Sequence, residues 1–480
     1  MNKFNRILAK LINIFSLIMY TIFAIFLYKL NILPKKYRLA LLIVIGVILL
    51  TNLYLIFVKK KKSSLIDISS IVLLVVLNLA MFTLISYASK STKAIEEINN
   101  KKQVDISELS IVSLKESKIN NLDQAFAKDL AIAGTFDKDN TNKALEEFKK
   151  KYKKEIKTKN LESYQQAAKA LIDKKSEVML LNESYRPIIE ESIEGFSEKT
   201  KVLDSTLVTG DDKRRTSTED IKTDESFNIY ISGIDTFGSL STVSRSDVNM
   251  ILSVNPVKKK ILITTIPRDT YVSMGGEKDK HDKLTHAGLF GVETSIKSLE
   301  DLLDIKLDYY GKVNFTSLKE LIDTLGGIWV DNPVSFETSN KVYYFPKGRI
   351  YMNGDKALAF SRERYNLEEG DFDRGKNQAR VLTGIIRKSL SQEMLLNFGK
   401  ISKIALESIN TDIPYSKMIE LVNKELERSG EWKIETLALK GEGTMELDSY
   451  LMPEANLYMM KASEESIKEI HDRIIENNKQ

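Results

Sequence analysis

Three long apolar runs in the first ninety residues constrain this chain more than any other feature. Leu11–Tyr28 and Leu39–Val58 carry no charge, and Leu65–Ala88 carries only Asp67, near its start. A helix needs roughly 20 apolar residues to cross a bilayer, where no water can satisfy a bare backbone. Each run reaches that length, so residues 1–90 are read as a membrane domain of three transmembrane helices. A cleavable signal peptide is the rival reading of the first run. No small-residue cleavage site precedes Pro34, however, and two further runs follow.

Basic residues set the expected orientation, since Lys and Arg are retained on the cytoplasmic side. Lys3, Arg6 and Lys10 precede the first run, and Lys59, Lys60, Lys61 and Lys62 follow the second. Lys29, Lys35, Lys36 and Arg38 lie between the first two. Seven against four favours a cytoplasmic N-terminus and a large extracellular C-terminal part: a multi-pass protein of the cell membrane.

The rest of the 480 residues has room for more than one soluble domain. Residues 91–103 are polar and read as a stalk. Residues 104–208 read as a small α+β accessory domain, with VDISELSIVSL as a strand and Asn121–Ala131, Asn140–Glu155 and Leu161–Leu181 as helices. Within it, the basic run Phe148–Lys159 could face an anionic polymer, but a solvated helix face is the favoured reading. Thr209–Ser226 has one apolar residue other than threonine, Ile221, and reads as a linker. From Phe227 to the end, strands alternate with helices. Phe227–Gly233, Asp247–Asn255, Ile261–Thr270, Tyr309–Phe315 and Trp432–Gly441 read as strands, and Val292–Leu303, Ser317–Leu325 and Gln378–Leu390 as helices. This predicts a layered α/β/α domain around a mixed sheet.

Absences narrow the chemistry. There is no cysteine, hence no disulfide, thiolate metal site or Cys nucleophile. Only His281, His286 and His471 occur, without an HExxH pattern, which argues against a zinc enzyme. No GxSxG elbow is present, although a Ser-His-Asp triad survives simple counting. A net charge of +5 gives no reason to expect a nucleic-acid partner.

Two constellations carry chemistry. The first is Phe360–Val381, where Arg362, Arg364, Arg374 and Gln378 surround Asp371 and Asp373. Arg362 and Arg364 share a face if extended, and Arg374 and Gln378 share one if helical. Converging guanidinium forks suit an anion with many oxygens, such as a phosphate or pyrophosphate. For any single arginine a surface ion pair is the simpler reading. The second constellation is Asp235 after one strand, Arg245 and Asp247 before another, and Arg268 and Asp269 after a third. Ligands in α/β folds sit at strand ends. Asp247 joins that edge only if its strand runs antiparallel to its neighbours. Two carboxylates suffice for Mg²⁺, which takes its other ligands from water and substrate phosphates. An Asx turn at Asp235 and an ion pair of Asp247 with Arg245 are the alternatives.

In order and spacing, GID, SRSDVNMILSV, ITTIPRDTYV, GGIWVDNP, NGDKALAFSRER and DFDRGKNQARV resemble the LytR-CpsA-Psr family over roughly Phe227–Leu390. The three spans and the additional domain look like its capsule-associated CpsA branch. The resemblance implies an extracytoplasmic phosphotransferase. It would move a glycopolymer, capsular polysaccharide first, from a polyprenyl-pyrophosphate carrier to peptidoglycan. It implies Mg²⁺ held by Asp235 and Asp247, and catalytic or pyrophosphate-binding roles for Arg268, Arg362, Arg364 and Arg374. Asp371 is implied as a base or as a group orienting Arg374, and Arg245 and Gln378 as substrate-binding residues. The implied partners are the polyprenyl (pyro)phosphate lipid with its glycan, the peptidoglycan acceptor, the membrane and capsule synthesis proteins. Two alternatives remain at this level: a hydrolase of the lipid pyrophosphate, and a polymer-binding regulator without turnover.

Overall fold

A computed structural model describes residues 2–30, 35–58, 64–99, 105–134, 137–210, 222, 224–235, 239–396, 398–428 and 430–479. The Lys59–Lys62 loop and most of the 209–226 linker lie outside these residues, as does the end of the stalk. The chain divides into two compact units.

The first unit comprises Met1–Lys101, Ser389–Leu406 and Ile413–Glu431. All three apolar runs are helical: α1 (Asn2–Leu30), α2 (Lys35–Leu53, continuing as a π-helical turn to Val58) and α3 (Ser64–Asn99). Their segments Phe4–Lys29, Lys35–Val58 and Leu65–Ser86 are long and apolar enough to cross a membrane. Phe23, Ile45, Leu49, Leu74 and Met81 form their shared interior. Two polar contacts join these helices: Asn78 Nδ2 donates to Ser16 Oγ at 2.7 Å, and Tyr20 Oη to the Leu42 carbonyl at 3.0 Å. Unexpectedly, the amphipathic helices Phe398–Glu407 and Tyr415–Glu427 belong largely to this unit, although their sequence interrupts the α/β domain.

The second unit holds both soluble sheets. Five strands, β1 (Ile106–Leu114), β2 (Leu130–Ala133), β3 (Thr158–Leu161), β4 (Val178–Asn182) and β5 (Thr200–Thr209), pair in the order β3-β2-β4-β1-β5. Two helices expected here are shorter than the sequence pattern suggests. Asn121–Ala131 contains only the helix Leu122–Phe126, and three residues separate it from β2. Leu161–Leu181 splits into the end of β3, the helix Tyr164–Ile172, and β4. The helix stops before Lys174, which has a left-handed φ of 60°. The run VMLLN is buried throughout, so it lacks the alternation that would mark it as a strand. The basic run 148–159 is solvated, with Lys149, Lys151 and Lys154 paired to Glu155, Asp204 and Asp123.

The larger sheet is mixed and six-stranded. Its order is Asn410–Thr411, Tyr309–Asn314, β6 (Phe227–Ile234), β7 (Ser246–Asn255), β8 (Lys260–Ile266) and Lys433–Ala438. β7 is antiparallel to both β6 and β8, whereas Tyr309–Asn314 is parallel to β6 and Lys433–Ala438 to β8. The start of β7 therefore lies beside the ends of β6 and β8. One face is covered by Val292–Leu303 and Glu464–Asn478, whose Ile296, Leu299, Ile470 and Ile474 pack with Tyr230, Ile251 and Leu262. The helices Phe315–Thr324, Gly354–Arg362 and Asp371–Ser389 follow elsewhere in the chain. Leu289, Leu451, Met452, Leu457 and Met459 enter the same apolar cluster as Tyr164, Tyr185 and Ile188 of the five-stranded region. The two soluble regions thus share a core.

Candidate active site

The end of the six-stranded sheet opens onto a cavity of about 440 Å³. Seven of the residues singled out in the sequence line it: Asp235, Asp247, Arg268, Arg362, Arg364, Arg374 and Gln378. Each arrives on a different element. Asp235 follows β6 and Asp247 is the second residue of β7, the antiparallel direction being what brings the two carboxylates to one edge. The strands meet closely there: a Cβ on Gly233 would lie 2.7 Å from Val248 Cβ, which only glycine avoids. Arg268 lies just beyond β8. Arg374 and Gln378 share a helix face, as their spacing predicts, but that helix begins at Asp371 rather than Gln378. The acidic turn is therefore its first turn, where carboxylates suit the helix dipole. Arg362 is the last residue of the helix Gly354–Arg362, and the chain is extended at Glu363. The two arginines reach the cavity by a helix end and a loop rather than along one extended segment.

Charge in the cavity is incompletely matched. Asp247 Oδ1 accepts from Arg268 Nη1 at 3.2 Å and from Thr285 Oγ1 at 3.1 Å. Arg245, the alternative partner for Asp247, bonds Glu191 instead. Arg374 pairs with Asp371 at 2.5 Å, and Arg362 is 3.8 Å from Asp235 while stacking on Phe315 at 4.2 Å. Arg364 stacks on Tyr365 at 4.8 Å and has no carboxylate partner among the described residues. Burial foremost, then Asp247, pushes Asp235 above its ordinary range against the pull of Arg362, Arg245 and Arg268. Burial foremost, with help from Arg268 and Arg364, holds Arg374 below the usual arginine range despite Asp371. Arginine keeps its proton regardless, so this direction reads as an unmet demand for negative charge. Beyond the charged wall the lining is apolar, including Met250, Val313, Leu318, Leu358, Leu382 and Ile385.

Arg245 and Asp371 do not line this cavity. Asp371 borders it through Arg374. Arg245 Nη1 donates to Glu191 Oε1 at 2.6 Å, and Glu191 sits on the helix Arg186–Ser192 of the preceding soluble region. Glu191 also accepts from Lys283 Nζ at 3.2 Å; Lys283 lies 3.3 Å from Asp269, and Asp269 3.7 Å from Arg268. A chain of alternating charges thus runs from Glu191 to Asp247. Nothing in the sequence marks Glu191, which lies 54 residues from Arg245 and 92 from Lys283. Phe315 and Tyr365 were also unmarked, although Tyr365 directly follows the NGDKALAFSRER motif and Phe315 ends the expected strand Tyr309–Phe315. The surviving Ser-His-Asp reading is excluded for His286. Its Nδ1 is 2.7 Å from Asp282, but Ser449 donates to that same aspartate, not to the imidazole.

The LytR_cpsA_psr family model matches residues 192–474. The chain belongs to this family. A Bacillus licheniformis relative named polyisoprenyl-teichoic acid–peptidoglycan teichoic acid transferase TagU is 34% identical over 259 residues, spanning 54% of this chain and 80% of the relative. The same-named protein of Enterococcus faecalis is 33% identical over 254 residues, spanning 52% and 82%. Among solved structures, B. subtilis TagV aligns over 53% of this chain and 97% of its own, with 27% identity and a TM-score of 0.46. A DNA polymerase processivity factor model also matches residues 60–181, about a quarter of the chain, an extent that establishes no membership. The LytR_cpsA_psr match begins one residue after Glu191, so this contact to Arg245 and Lys283 comes from outside the matched region.

Proposed function

We propose that this chain is a membrane-anchored phosphotransferase that moves a glycopolymer from a polyprenyl-pyrophosphate carrier to peptidoglycan. One observation carries this reading: four guanidinium groups and two carboxylates converge on one wall of a cavity whose other walls are apolar. A pyrophosphate suits the first wall and a polyprenyl chain the second. The names of the relatives support both the carrier and the acceptor.

The chain's own groups divide the work. Arg364, lacking a carboxylate partner, and Arg374 offer forks to the pyrophosphate oxygens; Arg268 and Arg362 add charge from either side. These donors neutralise charge as it gathers on the leaving polyprenyl phosphate. Gln378 donates to the Ser361 carbonyl at 3.3 Å, so it ties the helix Asp371–Ser389 to the helix Gly354–Arg362. Mg²⁺ fits the donor set: Asp235 and Asp247 face one cavity, and Asp247 adds to the cost of charging Asp235. No group of three or more acidic or histidine side chains able to hold a metal occurs among the described residues. An ion here would take the rest of its shell from phosphate and water. When bound it would neutralise phosphate charge beside the arginines.

For the polymer we favour capsular polysaccharide, the reading suggested by the three spans and the 104–208 region, over the teichoic acid in the relatives' names. The proposed topology places the second unit outside the cell. Because the chain has no cysteine, a single introduced cysteine at Ser339 should react with an impermeant maleimide on intact cells, and protection there would reverse the orientation. The activity test uses the full chain in lipid nanodiscs, since both soluble regions share a core. Labelled polyprenyl-pyrophosphoryl glycan, of capsular or teichoic type, is mixed with Mg²⁺ and peptidoglycan fragments. Label on the peptidoglycan supports the transferase, and the better donor identifies the polymer. Label freed as phospho-glycan would favour the hydrolase, and binding without product a regulator.

A further inference from the structure

A second opening adjoins the cavity. It is a groove of about 500 Å³, and Arg364 and Tyr365 line both spaces, forming the partition between them. Between the two lies a gap of about 20 Å³, lined by Asp247, Arg268, Arg374 and Gln378 from the cavity and by Asp371 and Phe372 from the groove. It has room for about one oxygen-sized group.

The two spaces differ in chemistry. The cavity gathers arginines and apolar side chains. The groove gathers Asp269, Glu368, Glu369 and Asp371, with Arg364 at its edge, and three aromatic rings, Tyr365, Phe372 and Tyr458. Tyr365 is 77% exposed and Tyr458 49%, and Glu368 has no hydrogen bond or ion pair among the described residues. Asp269, Glu369 and Asp371 are paired with Lys283, Lys376 and Arg374, which leaves Glu368 as the groove's unpaired acceptor among the described residues. Flat rings beside carboxylates, which accept hydrogen bonds from hydroxyls, suit an uncharged sugar.

Phosphoryl transfer requires the attacking and leaving oxygens to be roughly in line. If polyprenyl phosphate leaves within the cavity, the attacking hydroxyl must come from across the phosphorus. Through the gap, the groove reaches the same arginines without crossing the lipid side. We propose that this groove seats the acceptor sugar, with Tyr458 and Glu368 as its contacts and Asp371 at the point of attack; the inference rests on the transferase reading above. The acceptor hydroxyl oxygen bonds to the phosphorus that carries the glycan. The bond from that phosphorus to the bridging oxygen breaks, and polyprenyl phosphate departs with the electron pair. The hydroxyl proton passes to Asp371, whose Oδ1 holds Arg374 and whose Oδ2 has no partner among the described residues. The product is a phosphodiester between glycan and sugar.

The test varies the two substrates separately with the full chain in nanodiscs. Tyr458→Ala and the exposed substitution Glu368→Gln are each expected to raise the KM for a soluble peptidoglycan oligosaccharide about tenfold. The donor KM is expected to stay constant. An unchanged acceptor KM in both variants, or a rise in the donor KM instead, overturns the assignment. If the unsubstituted chain transfers nothing, the transferase reading fails by itself. The groove is then judged by titrating the same oligosaccharide: weaker binding to Tyr458→Ala than to wild type keeps it as a sugar site, and equal binding removes it.

Discussion

Asp137 and Asp235 are both carboxylates pushed above their ordinary range chiefly by burial, yet their surroundings are opposite. Asp137, at the start of the helix Lys138–Tyr152, accepts from Asn182 at 2.6 Å, Asn140 at 2.6 Å and Tyr164 at 3.1 Å. Three donors finish it, and it ties the helices Lys138–Tyr152 and Tyr164–Ile172 to the end of β4. Among the described residues, Asp235 has a guanidinium at 3.8 Å, a second carboxylate that repels it, and an open cavity in front. Burial alone therefore does not separate a structural carboxylate from a candidate site carboxylate. What distinguishes Asp235 is that, among the described residues, its charge is incompletely met, and Arg364 beside it has no carboxylate partner there either.

This contrast yields graded predictions. The largest effect should come from Arg364→Ala, which removes a guanidinium with no carboxylate partner. Transfer should fall by about 100-fold or more, with the melting midpoint unchanged. A variant that keeps wild-type rates would dissolve the contrast from the active-site side. Asp137→Ala should do the reverse: about 2–4 kcal/mol of stability is lost, because Asn182 and Tyr164 are left buried without an acceptor, while the rate per folded molecule holds. Denaturant unfolding and active-fraction titration measure the two quantities. A catalytic defect at full stability would count against a structural role.

Glu191→Gln should be intermediate. It keeps the shape but leaves Arg245 and Lys283, both mostly buried, short of an anion. We expect about a tenfold loss in kcat/KM, partly restored by adding Lys283→Met, which removes the stranded charge. Strictly additive losses in that double variant would reduce Glu191 to an ordinary packing contact. The smallest effect is a pH dependence at Asp235. Because its folded-state pKa is raised, the folded protein binds more protons than the unfolded chain just above the ordinary value of 3.8, and stability declines as pH rises through that window. Asp235→Asn removes the penalty. It should raise the melting midpoint slightly at neutral pH, with the gain fading toward acidic pH, while transfer falls. Identical midpoints at every pH would show that Asp235 carries no such cost.

Much of the site was legible in the sequence because arginine-rich motifs beside strand ends have few other uses in combination. The spacing of Arg374 and Gln378 placed them correctly on one helix face, although the helix starts earlier than the apolar pattern suggested. Other features were not legible. VMLLN lacks alternation because both its faces are buried. Arg245 was expected to serve the substrate, but its observed partner, Glu191, is distant in sequence. The helices between Ser389 and Glu431 gave no sign that they group with the membrane helices.

The sequence alone determined what depends on neighbouring residues: three membrane-length helices, a βα-alternating domain, and the set of charged side chains available at strand ends. Tertiary structure decided which of those side chains meet. Asp247 faces Asp235 only because β7 runs antiparallel to β6 and β8. Arg245 is held by Glu191 only because two soluble regions share a core. Periodicity is a local property of the chain, whereas strand direction and convergence of charge follow from pairings between distant segments, which no local pattern encodes.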